Sequence, residues 1–255
     1  MRLALTLTII FGFATPPCLA APEIRLINDA GLPAAAMDQI RKDYPAWAAR
    51  VYRYHHLARP LPVNLVITRQ VQIGYYTRPN IYLPQDDDPR AMLETFVHEL
   101  AHHATGHESS FFFKEGIATA TAEALFAEQG EPVNEWPQYG ISTSAWVRLF
   151  LQRNELPPLS SLVAQSRYDN SSRDTEFRSW QAYLIAGNFL SWLIQNEGYD
   201  TFREVFWEET LGAKATEWEQ LWLASIRTQK PPSLDLQRVL PQTARYRYYA
   251  RRLSP

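Results

Sequence analysis

The sequence predicts an α+β fold, with a small N-terminal β-sheet followed by a mainly helical C-terminal half. Three observations carry this. Short β-branched runs are confined to residues 63–83, helix signals take over from residue 88, and 46% hydrophobic with 13% aromatic residues give ample core material. With 255 residues the chain suits one large or two small domains. We read one domain over residues 21–255: the sheet and the two helices after it at about 33–130, a helical half at about 131–226, and a tail at 227–255.

Residues 33–57 carry apolar side chains near helical spacing, with Pro45 as an internal break, which predicts two short helices or one kinked helix. Val63–Thr68 is a β-branched strand, and Val71–Tyr76 and Asn80–Leu83 read as two more around a turn at Thr77-Arg78-Pro79. Asn80–Leu83 directly precedes the next helix, and we expect it to form an edge of the sheet, open to pairing with an extended chain. Asp88 as N-cap and Pro89 at the first helical position open a helix that runs to about Thr105, where Gly106 stops it. A second helix is expected from Phe112 to Gln129, ended by Gly130. Residues 131–174 are rich in Pro, Ser and Asn, with a helical island at Ser144–Leu151. The remainder reads as helix at about Glu176–Gln195, then two helices opened by the capping boxes Thr201-x-x-Glu204 and Thr216-x-x-Glu219. No internal repeat is present.

A net charge of −2 provides no basic field to recruit nucleic acid, so nucleic acid is excluded as the expected partner. Residues 1–20 read as an export signal: Arg2, the uncharged apolar run Leu3–Ala14, and the small-x-small site Cys18-Leu19-Ala20. An apolar run of about 12 residues falls short of the roughly 20 that span a bilayer. We expect cleavage before Ala21, no stable membrane insertion afterwards, and a periplasmic or secreted mature chain. The only cysteine, Cys18, leaves with the signal, so stability must come from the core or a metal.

Four of the six histidines, His98, His102, His103 and His107, fall within ten residues. His98-Glu99-Leu100-Ala101-His102 is an H-E-x-x-H inside the expected helix. Residues four apart on a helix differ by about 40° around its axis, so both imidazoles can reach one ion, with Glu99 beside it at about 60° from His102. Zinc suits such nitrogen donors, and a catalytic zinc site takes three protein ligands and activates a water. Glu99 can take the proton of that water and return it to a leaving amine. For the third ligand, an H-E-x-x-H-x-x-G-x-x-H register fails, because positions 105 and 108 are Thr105 and Glu108, with Gly106 and His107 offset by one. The alternative is Glu115 in Phe112-Phe113-Lys114-Glu115-Gly116-Ile117-Ala118, which antiparallel packing of two helices would bring back over the histidines.

HELAHH followed by FFFKEGIA resembles the gluzincin metallopeptidases, in particular the peptidase MA-like group. NIYLP, LPPLSSL and YLIAGNFLSWLIQNEGYDTFREVF are similar to further parts of that family, over roughly residues 35–226. The resemblance implies a zincin-type active-site helix, zinc held by His98, His102 and Glu115, Glu99 as general base, and a peptide or protein substrate. In thermolysin-like relatives a carboxylate four residues after the third ligand buttresses a histidine; Thr119 stands there, with Glu123 as a weak substitute. The function this implies is an exported zinc metallopeptidase, with a catalytically silent protein that binds a peptide or an envelope component in the same cleft as the alternative.

Tyr183 near the expected site either donates to the oxyanion or is a core tyrosine among Phe177, Trp180 and Phe189; burial tendencies favour the core. His103 is expected to be exposed, His55 and His56 to face solvent, and the Arg- and Tyr-rich segment 245–252 to be a frayed tail.

Overall fold

A computed structural model describes residues 22–57, 60–106, 110–165, 167–229, 236–240 and 244–253. The segment expected to be an export signal, with Cys18, and His107 and Glu108 lie outside the described residues.

Strand β1 (Ile24–Asn28) leads into helix α1 (Ala34–Tyr54), followed by β2 (Val63–Thr68), β3 (Tyr75–Thr77) and β4 (Asn80–Pro84). The sheet order is β1-β2-β4-β3, parallel except for the antiparallel β3–β4 hairpin. β1 was not legible in the sequence, because a mostly exposed five-residue strand gains its identity from a partner far along the chain, Ile24 opposite Val63. β4 is paired on both sides, which overturns the expectation that Asn80–Leu83 is an edge. The hairpin takes one flank and parallel pairing with β2 the other, so the exposed edge on this side of the sheet belongs to β3.

Val63, Leu65 and Ile67 of β2 and Ile81 and Leu83 of β4 alternate onto one buried face. They form a core with α1, with α2 (Pro89–Thr105) and with the C-terminal part of α3 (Phe111–Ala127). α1 continues unbroken through Pro45 rather than dividing there. The contacts that flank the proline hold it: Tyr44 stacks on Phe96 at 4.5 Å between ring centroids and Trp47 lies against Phe126 at 4.4 Å. Tertiary packing outweighs the loss of one helical hydrogen bond.

The second core is helical: α4 (Thr143–Gln152), α5 (Leu159–Val163), α6 (Arg173–Glu197), α7 (Tyr199–Glu208), α8 (Ala215–Arg227), α9 (Leu236–Val239) and α10 (Ala244–Leu253). Neither expected capping box opens its helix. Gly198 caps α7, where Thr201 instead donates back to the Glu197 carbonyl at 2.9 Å, and a 3-10 turn at Gly212–Lys214 leads directly into α8. The C-terminal segment is also not a frayed tail. Tyr249 and Leu253 are fully buried, Tyr249 stacks on Trp180 at 4.9 Å, and Arg252 bonds both Glu155 carboxylate oxygens at 3.0 Å and pairs with Asp174. Among the described residues no helix is long and apolar enough to cross a membrane.

α3 belongs to both cores, and its crossing with α6 is close because the contact residues are small. A Cβ on Gly116 would lie 2.6 Å from the Ala186 Cβ, and one on Gly187 would lie 2.7 Å from Thr119 Cγ2. The Gly116 that follows Glu115 therefore lets α6 approach the residue before it.

His55 is buried at 2% exposure, contrary to the expectation that it faces solvent. Its Nδ1 meets the Tyr199 hydroxyl and its Nε2 the Thr121 hydroxyl, both at 3.0 Å, which joins the end of α1 to α3 and α7. Burial, then the neighbouring His56 and His102, pushes its pKa down to about 3. The unfolded chain takes up this proton below about pH 6.5, while the folded chain refuses it until about pH 3. The contribution of neutral His55 to stability is thus complete above about pH 6.5 and is lost as pH falls toward 3. Denaturant unfolding from pH 7.5 to 4 should show a shallower loss of stability for His55→Gln than for the unsubstituted chain; parallel profiles would contradict the assignment.

Candidate metal centre

α2 is placed by the signals at its two ends. Asp88 accepts from the Arg90 amide at 2.8 Å, Pro89 takes the first turn, and Gly106, at φ 65°, ends the helix with its N–H on the His102 carbonyl. The helix carries His98 and His102 one turn apart, with ring centroids 4.9 Å from each other. α3 returns across them, as the short loop after Gly106 suggests, and delivers Glu115.

Glu115 Oε2 lies 3.2 Å from His98 Nε2 and 3.3 Å from His102 Nε2. A tetrahedral ion with bonds of about 2.0–2.1 Å separates its ligand atoms by about 3.3 Å, which matches the two distances from Glu115 Oε2 to the histidine nitrogens. Two imidazole nitrogens and a carboxylate oxygen that converge this closely need a proton or a cation among them, and the donor set suits zinc. Glu99 sits beside this group, its carboxylate and the two histidine nitrogens lying within 4.8 Å of one another. Glu115 Oε2 thus approaches both Nε2 atoms, while Glu99 stands in a metal-competent grouping with the same two histidines.

The electrostatics separate the two glutamates. Burial pushes Glu115 upward, but the His102 and His98 rings outweigh it and hold the carboxyl well below the usual range. Burial of Glu99 prevails over the same histidines and raises its carboxyl above the ordinary value. Tyr183, on α6, is 9% exposed and its ring faces that of His98 at 6.4 Å and 29°. Burial, then the charges of Glu115 and Glu99, raise its pKa well above 10, so its hydroxyl stays a proton donor. The residue is both a core tyrosine and a neighbour of the cluster.

Two sequence expectations are corrected around this centre. His103 is buried, at 1% exposure, with Nδ1 3.3 Å from the Tyr76 hydroxyl and Nε2 3.4 Å from the Leu61 carbonyl, and so ties β3 to α2. Glu123 does not reach the histidines, because it accepts from the Thr143 amide at 2.9 Å and from the Thr143 hydroxyl at the first turn of α4. Among the described residues nothing buttresses His102: its Nδ1 and the Thr119 hydroxyl are both buried without a hydrogen-bond partner there. Gly74 was overlooked. A Cβ there would lie 2.3 Å from Thr95 Cγ2 and 3.4 Å from Glu99 Cγ, so the chain entering β3 presses against the helix at Glu99. A glycine inside an expected strand is the signal that marks such an approach.

No protein-family model and no curated protein matches the sequence. Among solved structures, the chain is similar to a two-domain M1 zinc metallopeptidase, in a glutamate-to-alanine variant bound to L-tryptophan, with TM-score 0.51, 16% identity, 86% of this chain and 50% of that one covered. The corresponding variant bound to L-arginine gives TM-score 0.50 and 17% identity over 83% of this chain and 49% of that one. An M1 zinc metallopeptidase from Deinococcus radiodurans gives TM-score 0.49 and 19% identity, covering 82% and 49%. The chain spans about half the length of these structures. It therefore has a zinc-metallopeptidase-like α+β fold, shown at the level of architecture.

Proposed function

We propose that the protein is a zinc-dependent metallopeptidase of gluzincin type, in which His98, His102 and Glu115 hold the metal. The observation that carries this is the Glu115 carboxylate oxygen placed 3.2 and 3.3 Å from the two Nε2 atoms. When bound, zinc supplies a Lewis acid that polarises the substrate carbonyl and acidifies the attacking water. The residues of the chain perform the rest. Glu99 accepts the proton of that water and passes it to the leaving amine. The Tyr183 hydroxyl donates to the developing oxyanion. The exposed edge of β3, pressed against α2 at Gly74, offers main-chain groups to an extended peptide beside Glu99. The apolar leader at residues 1–20 extends the proposal to action outside the cytoplasm.

The alternative, a silent protein that binds a peptide in the same cleft, draws on one observation: among the described residues the His102 ring lacks the partner that normally orients a zinc-binding histidine. Zinc-loaded protein should cleave members of a quenched-fluorescence peptide library, lose that activity on chelation and regain it with zinc. A folded, zinc-loaded chain without turnover would select the silent alternative.

A further inference from the structure

Tyr183, whose ring faces that of His98 at 6.4 Å, belongs to a cluster of four aromatic side chains. Phe111 meets it edge-on at 5.0 Å and Trp136 at 4.2 Å, and Tyr168 lies 6.2–6.5 Å from Trp136, Tyr183 and Phe111. Phe111 and Tyr183 are buried, whereas Trp136 and Tyr168 are only half-buried.

The backbone around Trp136 is fastened on both sides. Glu94, 2% exposed, accepts from the amides of Asn134 and Glu135 at 2.8 Å, and is itself held by Arg90 Nε at 2.6 Å. After the tryptophan, the Pro137 and Gln138 carbonyls accept the indole N–H groups of Trp180 and Trp146, both at 2.9 Å. Trp146, Trp180 and Trp222 are fully buried and each gives its indole N–H to a protein oxygen. The Trp136 indole gives its own to none among the described residues. Trp136 is thus a partly exposed tryptophan, held rigidly by its backbone and in edge contact with the Tyr183 ring that faces His98, and it offers a fixed apolar surface.

Resting on the peptidase reading above, we propose that Trp136 and Tyr168, backed by Phe111 and Tyr183, form a subsite for a bulky apolar side chain, aromatic above all, on the substrate residue that flanks the cleaved bond.

The test uses full-length zinc-loaded Glu99→Gln, which should bind peptides without cleaving them, and peptides that differ only by Phe, Ala or Lys at the flanking position. Calorimetric titration should show the Phe peptide binding about tenfold or more tightly than the Ala peptide. Adding Trp136→Ala should bring the Phe peptide down to the Ala level and leave the Ala peptide unchanged, while Trp136→Phe keeps most of the preference; zinc content and melting temperature check that each variant is folded. Equal affinities, a preference for Lys, a uniform loss across peptides or no binding would overturn the subsite. Turnover by the unsubstituted enzyme without side-chain preference would remove the subsite and leave the peptidase reading intact. Phe-selective binding without turnover would do the reverse.

Discussion

Glu99→Gln should keep the fold and one zinc per chain while peptide hydrolysis falls by about 10²–10⁴-fold. Glutamine preserves the size and shape of a side chain that is 7% exposed and packed against the Gly74 segment, so stability should change little. It cannot accept a proton from water, and among the described residues the other carboxylate beside the histidines is Glu115. Glu115 is held close to both histidines and its carboxyl lies well below the ordinary range. The effect should fall on kcat with little change in KM, because a group that moves a proton acts on the transition state more than on substrate binding. Steady-state kinetics alongside zinc analysis checks this. Undiminished hydrolysis would remove Glu99 from the mechanism, and loss of zinc would make it a ligand rather than a base.

The parts legible in the sequence were those written locally. Asp88, Pro89 and Gly106 mark the ends of α2 through capping chemistry that involves only near neighbours, and His98 and His102 share a face through helical period alone. Glu115 was reached from a motif and a loop length, and the return of α3 over α2 gives that inference its geometry. What escaped depends on partners distant in the chain. His55 is buried because Thr121 and Tyr199 come to it, and His103 because Tyr76 and Leu61 do; nothing near either residue announces those contacts. The 245–252 segment reads as a basic tail until Glu155, Asp174 and Trp180 are seen beside Arg252 and Tyr249. The misplacement of the sheet edge has the same origin: a turn at residues 77–79 reveals the hairpin, but the parallel pairing of β2 with β4 cannot be read locally.

Glu115→Ala should weaken zinc binding by about a hundredfold or more, because one of three protein ligands is lost and the two remaining imidazoles no longer enclose the ion. The substitution also removes the partner of both histidines, so circular dichroism and a melting curve should accompany it, with Glu115→Gln as a variant of similar shape. His107→Ala should leave zinc affinity nearly unchanged, since His107 follows the Gly106 that terminates α2. Competitive zinc titration of the full-length chain and these variants against a calibrated chelator tests the central claim most directly. The account predicts one tight site in the unsubstituted chain and in His107→Ala, and a site weakened about a hundredfold or more in folded Glu115→Ala. Tight binding retained by Glu115→Ala and lost in His107→Ala would move the third ligand to the loop and contradict the gluzincin assignment.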